Sequence, residues 1–152
     1  MINDLIAQAA QSPRKRTIYR LHEHEEPVQR MVNAMVPGTY TPPHMHKNPD
    51  KVELFSILVG KVAVLHFEDD GEIAEVVVLN ANGPVKIVDI APRTYHALVV
   101  LEPSAVVEII QGPYDARTHK QFAPFAPAED APEASDYLRW MEQQVQTFIR
   151  SS

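Results

Sequence analysis

The sequence contains no cysteine, which excludes disulfide bonds and thiolate ligands and leaves nitrogen and oxygen donors for any metal ion. Basic side chains are also scarce, because 14 Lys and Arg face 20 Asp and Glu for a net charge of −6. Nucleic acids and anionic membranes are bound by clustered basic residues, so we expect neither as a partner. The one basic cluster, Arg14-Lys15-Arg16, is typical of a solvated turn.

Long hydrophobic runs are absent as well. No window approaches the roughly 18 uninterrupted apolar residues of a membrane-spanning helix. Residues 1–10 have neither the basic start nor the long apolar centre of a signal peptide, so a cytoplasmic location is expected. With 152 residues, 45% of them hydrophobic and 22% charged, the chain suits a single domain over 1–152.

The middle of the chain, from about residue 28 to residue 112, is a series of short apolar stretches separated by turn residues. Such stretches, with no helical pattern between them, favour an antiparallel sandwich or jelly-roll barrel over a parallel α/β sheet. Gly60 predicts a tight hairpin between two of the strands. The predicted strands are 28–36, 53–59, 61–67, 75–80, 85–90, 96–101 and 105–112.

Two flanking segments complete the predicted domain. In the N-terminal arm, 1–27, apolar residues at helical spacing predict a short helix over 2–10, followed by a polar, irregular segment. The extension 113–152 begins rich in proline and ends in an amphipathic helix that starts near Ser135. The apolar face of that helix packs either on the barrel or against a second copy in a homodimer, where Trp140 would be the anchor.

His44, His46, Glu53 and His96 are the candidate metal ligands. Residues separated by one position share a face of an extended strand, so His44 and His46 can converge. Glu53 opens a stretch in which Phe55, Ile57 and Val59 share its face and would line an apolar interior. His96 follows a turn at Pro92 and shares its face with Leu98 and Val100, which again puts a histidine at the mouth of a strand.

The spacing Gly38-x5-His44-x-His46, Glu53-x6-Gly60 resembles the first cupin motif, and Pro92 to His96 resembles the second. Six residues between His46 and Glu53, where three or four are usual, and Thr94 in place of a glycine are departures, but neither removes a ligand. Three further segments, FEDDGEI (67–73), GPYD (112–115) and KQFAPFAPAE (120–129), resemble the WbuC-type cupin-fold metalloproteins of bacterial O-antigen gene clusters. The resemblance covers about residues 12–130. It implies a jelly-roll barrel with one divalent transition metal.

The identity of the metal and its chemistry stay open at this point. Nitrogen-rich ligation with one carboxylate suits Fe, Zn, Ni, Mn, Co or Cu. Positions left open on the metal would permit isomerase or epimerase chemistry, hydrolysis or a metal-dependent dioxygenase reaction on a small polar or sugar-derived molecule. The alternatives are a non-catalytic metal or carbohydrate-binding module and a metal-free epimerase in which His and Tyr serve as acid and base.

Further candidates flank the ligands in sequence. Tyr40, Lys51 and Tyr95 carry groups able to act as acid, base or anion clamp, and Phe55 would add an apolar contact to the substrate. Arg16, with Arg14, would pair with a substrate carboxylate or phosphate if the arm folds over the barrel mouth. His22-x-His24 has the same spacing as the first ligand pair but no strand pattern around it, which is typical of a solvated loop.

Overall fold

The computed structural model describes residues 1–152 and contains ten strands in two antiparallel sheets of five. The elements are α1 (Ile2–Gln11), β1 (Arg16–Arg20), β2 (Val28–Met35), β3 (His44–Met45), β4 (Glu53–Val59), β5 (Lys61–Phe67), β6 (Ile73–Asn80), β7 (Ile87–Ile90), β8 (Tyr95–Val100), β9 (Ser104–Gln111), β10 (Gln121–Phe122) and α2 (Ala134–Ser151). The first sheet has the order β1-β2-β9-β4-β7 and the second β10-β3-β8-β5-β6. The predicted jelly roll with a helix at each end is confirmed.

The inner faces of the two sheets meet in an aliphatic core at one end of the barrel. Alternate residues of each strand point inward, as the sequence pattern predicts. The buried inner residues are Met35, Phe55, Ile57, Val62, Val64, Leu79, Val88, Ile90, Leu98, Val100 and Val106. Polar side chains replace them at the other end, where the interior opens into a cavity.

Both helices cover outer faces of the sheets. In α1, Leu5 and Ala9 pack on Val32 and Ala34 of β2. The four buried residues of α2 pack on the outer face of β5 and β8; they are Ala134, Leu138, Met141 and Val145. The apolar face of the last helix is therefore used within the chain. Neither helix is long and apolar enough to cross a bilayer.

The predicted hairpin between β4 and β5 is confirmed at Gly60. This residue has a φ of +81°, and a Cβ there would lie 2.3 Å from the carbonyl oxygen of Pro103, so only glycine fits. A shift in strand register after Ile57 interrupts the alternation, and Val59 is 36% exposed. The prediction that Val59 faces the interior is therefore wrong.

The prediction of an irregular segment before Val28 is also wrong in part. Residues 16–20 form β1, which pairs with β2 along its length. The inner face of this edge strand carries Arg16, Ile18 and Arg20, and it lines the polar cavity instead of the core. The usual alternation of apolar and polar residues is therefore missing, although the backbone still completes the sheet.

Candidate metal centre

The four predicted ligands lie together at the open end of the barrel. His44 and His96 are paired across β3 and β8 of one sheet, whereas Glu53 begins β4 in the other sheet. One ligand atom from each of the four residues, His46 included, lies within 4.8 Å of the others, and all four side chains are buried. The two sheets thus bring together residues up to 52 positions apart in the chain.

Each of the three histidines is oriented by a backbone carbonyl. A carbonyl oxygen only accepts hydrogen bonds, so Nδ1 of each ring must carry the proton and donate it. The acceptors are Pro42 O for His44 (2.9 Å), His119 O for His46 (2.6 Å) and Thr94 O for His96 (2.9 Å). In the neutral ring this leaves Nε2 with a lone pair. Bonds of this type fix metal-binding histidines in many proteins.

The Nε2 lone pairs converge on a carboxylate, which also has only lone pairs to offer. Oε2 of Glu53 lies 3.0 Å from His46 Nε2 and 2.8 Å from His96 Nε2. His96 Nε2 is buried and has no well-directed hydrogen bond of its own. Acceptors that face one another in a buried site repel unless a proton or cation lies between them. The donor set therefore fits a divalent metal ion.

Charge in this pocket follows the same arrangement. Burial lowers the pKa of His44 well below its usual value, and positive charge on His96 would lower it further, so the His44 ring is neutral and free to bind a metal. Burial alone would raise the pKa of Glu53, but a proton or cation held between its carboxylate and the rings of His46 and His96 outweighs burial and lowers the pKa well below its usual range. A complex of a divalent metal ion with three neutral imidazoles and one carboxylate would carry a net charge of about +1.

A cavity of about 570 Å³ leads from these residues to the surface. Phe55 and Arg16, two of the sequence candidates, line it, and Arg16 also binds Glu129 at 2.7 Å. Tyr40 and Tyr95 do not line the cavity, because both belong to the cluster that packs against α2.

Lys51 also lies outside the cavity wall. It is buried and its Nζ donates a hydrogen bond to Pro113 O at 2.9 Å, so it anchors the start of the segment 113–122. This segment returns to the site, since its residue His119 supplies the carbonyl that holds His46. The role of Lys51 in this geometry is to position the loop.

Glu108 and His119 are two of the polar cavity residues that sequence patterns missed. Glu108 lies on β9 with its carboxylate accepting a hydrogen bond from Asn33, and burial together with the negative charge of Glu53 raises its pKa well above the usual value. Glu108 alternates with the inward-facing Val106 and Ile110, and this pattern in the sequence could have indicated that it faces the interior. His119, 23 residues beyond His96, had no local signal, because only the return of segment 113–122 brings it to the site.

His22 and His24 also line the cavity, and the solvated-loop interpretation is wrong for His22, which is buried, whereas His24 is an exposed loop residue. They follow β1 directly, and His22 is buried with its ring bonded to the backbone of Arg30. The ring of His24 lies 4.8 Å from that of Tyr114, which lies 4.9 Å from His119. These three rings, His24, Tyr114 and His119, are called the aromatic wall below.

A jelly roll of two antiparallel sheets with a histidine and glutamate cluster at its mouth is a cupin fold. Residues 1–79, just over half of the chain, match the family model described as a domain of unknown function, DUF6016, and the chain belongs to that family. No curated protein matches the chain.

Solved structures support the same class. A double-stranded β-helix protein from Klebsiella pneumoniae is 15% identical to this chain, with a TM-score of 0.58. The match covers 81% of this chain and 94% of the Klebsiella chain. A cupin superfamily protein from Desulfitobacterium hafniense is 14% identical with a TM-score of 0.51, covering 63% and 76%. The capsular polysaccharide assembling protein CapF from Staphylococcus aureus is 20% identical with a TM-score of 0.57, covering 73% of this chain but only 32% of its own. At these identities the likeness shows the fold.

His119 makes the stability of the metal-free protein depend on pH. Burial, with the positive charges of His46 and Lys120, lowers its pKa from 6.5 to about 4. The unfolded chain therefore binds a proton that the folded chain does not, and we expect the unfolding midpoint to fall as pH drops from about 6.5 to 4. Thermal unfolding of chelator-treated protein across this range, beside His119→Gln, measures the effect. An equally steep pH dependence in the variant would contradict it.

Proposed function

We propose that this protein is a cupin that binds one divalent transition metal through His44, His46, Glu53 and His96. The observation that carries the proposal is the convergence of buried Nε2 lone pairs on the Glu53 carboxylate, with each Nδ1 fixed by a carbonyl. Iron, zinc, nickel, manganese, cobalt and copper all accept this donor set. When bound, the metal would supply Lewis acidity or, if redox-active, oxygen chemistry.

The cavity beside the four ligands supports a catalytic or ligand-binding site over a purely structural ion. Structural sites are closed by protein groups, whereas catalytic sites keep a position open toward a pocket. Here the ligands His44, Glu53 and His96 themselves line the cavity. Asn33 and Glu108 would orient a polar ligand within it, and Phe55 supplies an apolar contact. An isomerase, an epimerase or a dioxygenase is compatible with this arrangement.

We infer a small polar or sugar-derived substrate from bacterial surface-polysaccharide metabolism, in keeping with the WbuC-type resemblance. CapF, which shares the fold, is described as a capsular polysaccharide assembling protein and has been solved with the inhibitor 3-isopropenyl-tropolone. Both the arm and the C-terminal extension reach the cavity, through Arg16 and His119. Their presence there supports the proposal that residues 1–152 act as one domain. A cytoplasmic location and a homodimer of such domains are further parts of the proposal.

The first test is elemental analysis of untagged protein purified without added metal. We expect about one equivalent of a transition metal in the wild type and its loss in His44→Ala. His66→Ala is the matched control, because His66 lies opposite His96 in the pairing of β5 with β8 but outside the four-residue cluster. That variant should keep the metal. A wild type that holds no metal, even after reconstitution, would refute the proposal.

A further inference from the structure

The mouth of the cavity is basic although the protein as a whole is acidic. Four basic side chains line the cavity, namely Arg14, Arg16, Arg20 and Lys120, against two acidic ones, Glu53 and Glu108. The chain carries a net charge of −6, so the rest of the surface is more acidic still. A basic cleft on an acidic protein concentrates anions at its entrance.

Two of these cations are already paired within the chain, both with the single carboxylate of Glu129. Arg14 donates two hydrogen bonds to the Glu129 carboxylate, at 2.9 and 2.8 Å, and Arg16 contacts Oε1 of the same carboxylate at 2.7 Å. Arg16 also donates to the carbonyl of Tyr40 at 3.1 Å. These contacts tie the arm to the C-terminal extension, so Arg14 and Arg16 serve the fold.

Arg20 and Lys120, by contrast, form no ion pair. Arg20 ends β1 and donates one hydrogen bond to the ring of His24, which leaves its other N–H groups free. Lys120 precedes β10 in the returning segment, and both side chains are exposed at the cavity mouth. The two free cations come from different parts of the chain and line the same cavity.

The aromatic wall lies along the same cavity. Its rings contact one another at tilted angles and continue to His46, whose ring lies 5.0 Å from that of His119. Aromatic side chains pack against the C–H faces of ring compounds while nearby polar groups bind their hydroxyls. A cavity of about 570 Å³ falls within the range of roughly 300–1,000 Å³ found for small-molecule sites.

We propose that the cavity binds an anionic sugar, with its carboxylate or phosphate held by Arg20 and Lys120 and its ring placed along the aromatic wall toward the four metal ligands. This proposal deepens the proposed function and rests on it for the role of the metal-binding end. A guanidinium and an ammonium suit either anionic group.

The test is calorimetric titration of the metal-loaded protein with three probes of one ring type: glucose, glucuronate and glucose 6-phosphate. We expect at least one of the two anionic sugars to bind about tenfold or more tightly than glucose, and this preference to weaken as salt is raised. If only glucuronate binds more tightly than glucose, the anionic group of the ligand is a carboxylate. If only glucose 6-phosphate does, the anionic group is a phosphate. Equal affinity for all three, or no measurable binding of any, would overturn the proposal.

Charge-matched variants locate the effect. In Arg20→Gln/Lys120→Gln the preference for the anionic sugar should disappear, while Lys86→Gln/Arg139→Gln, which alters two basic residues outside the cavity lining, should retain it. Retention of the preference by the first variant would also overturn the proposal. Metal content is measured on every sample, and the titrations are repeated on metal-free protein. Failure of metal binding is thereby distinguished from failure of anion recognition.

Discussion

Replacing His96 with alanine should weaken metal binding by roughly 100-fold or more while leaving the barrel folded. His96 is 1% exposed, and its ring nitrogen stands 2.8 Å from the Glu53 carboxylate. Alanine removes one of the four donors, and this donor is held in place by the hydrogen bond from its ring to a backbone carbonyl. The aliphatic core lies at the other end of the barrel, so the free energy of unfolding of the metal-free protein should change by about 1 kcal/mol or less.

Thermal unfolding with and without added metal measures both effects in one experiment. A ligand that binds only the folded state raises its stability according to its affinity, by about 2.7 kcal/mol at a hundredfold excess over the dissociation constant. Wild type and His66→Ala should show this metal-dependent rise, and His96→Ala should show almost none at the same concentration. If His96→Ala instead unfolds as readily as a core deletion, the ion has a structural role.

Replacing Met141 with alanine should destabilise the protein by about 2–4 kcal/mol without altering metal content. Met141 lies on the face of α2 that packs on the outer face of the second sheet, and it is fully buried among Leu65, Tyr95 and Val145. Truncation leaves a cavity that the rigid sheet cannot close, and the lost contacts come from a face that does not line the metal cavity.

Chemical denaturation of wild type, Met141→Ala and Gln143→Ala tests this role of the last helix. Gln143 is exposed on α2, so its replacement should change stability by no more than about 0.5 kcal/mol. A small effect of Met141→Ala would mean that α2 does not hold to the barrel in solution, and would reopen the alternative that its apolar face contacts a second copy.

The four candidate metal ligands could be recognised from the sequence because each depends on local features. His44 and His46 are linked by strand periodicity, and a turn places His96 at the start of its strand. Glu53 likewise opens a strand whose inner residues are apolar. Val59 was misplaced for the converse reason, since a register shift after Ile57 leaves no trace in local periodicity.

The rest of the cavity could not be predicted in this way. β1 faces a polar cavity, so Arg16 and Arg20 lack the apolar alternation that marks a strand above a core. His119 and Lys120 reach the site only because segment 113–122 is drawn back by the bond between Lys51 and Pro113 and by the pairing of β10 with β3.

By itself, the sequence determined seven of the ten strands, the two helices and the four candidate metal ligands, because periodicity, turn residues and short motifs act over a few neighbouring positions. Only the tertiary structure decided what surrounds those ligands: the carbonyl that holds His46, the buried Glu108 and the aromatic wall beside Arg20 and Lys120. Such contacts join residues from separate sheets and loops. Their energies depend on distances that no local pattern encodes.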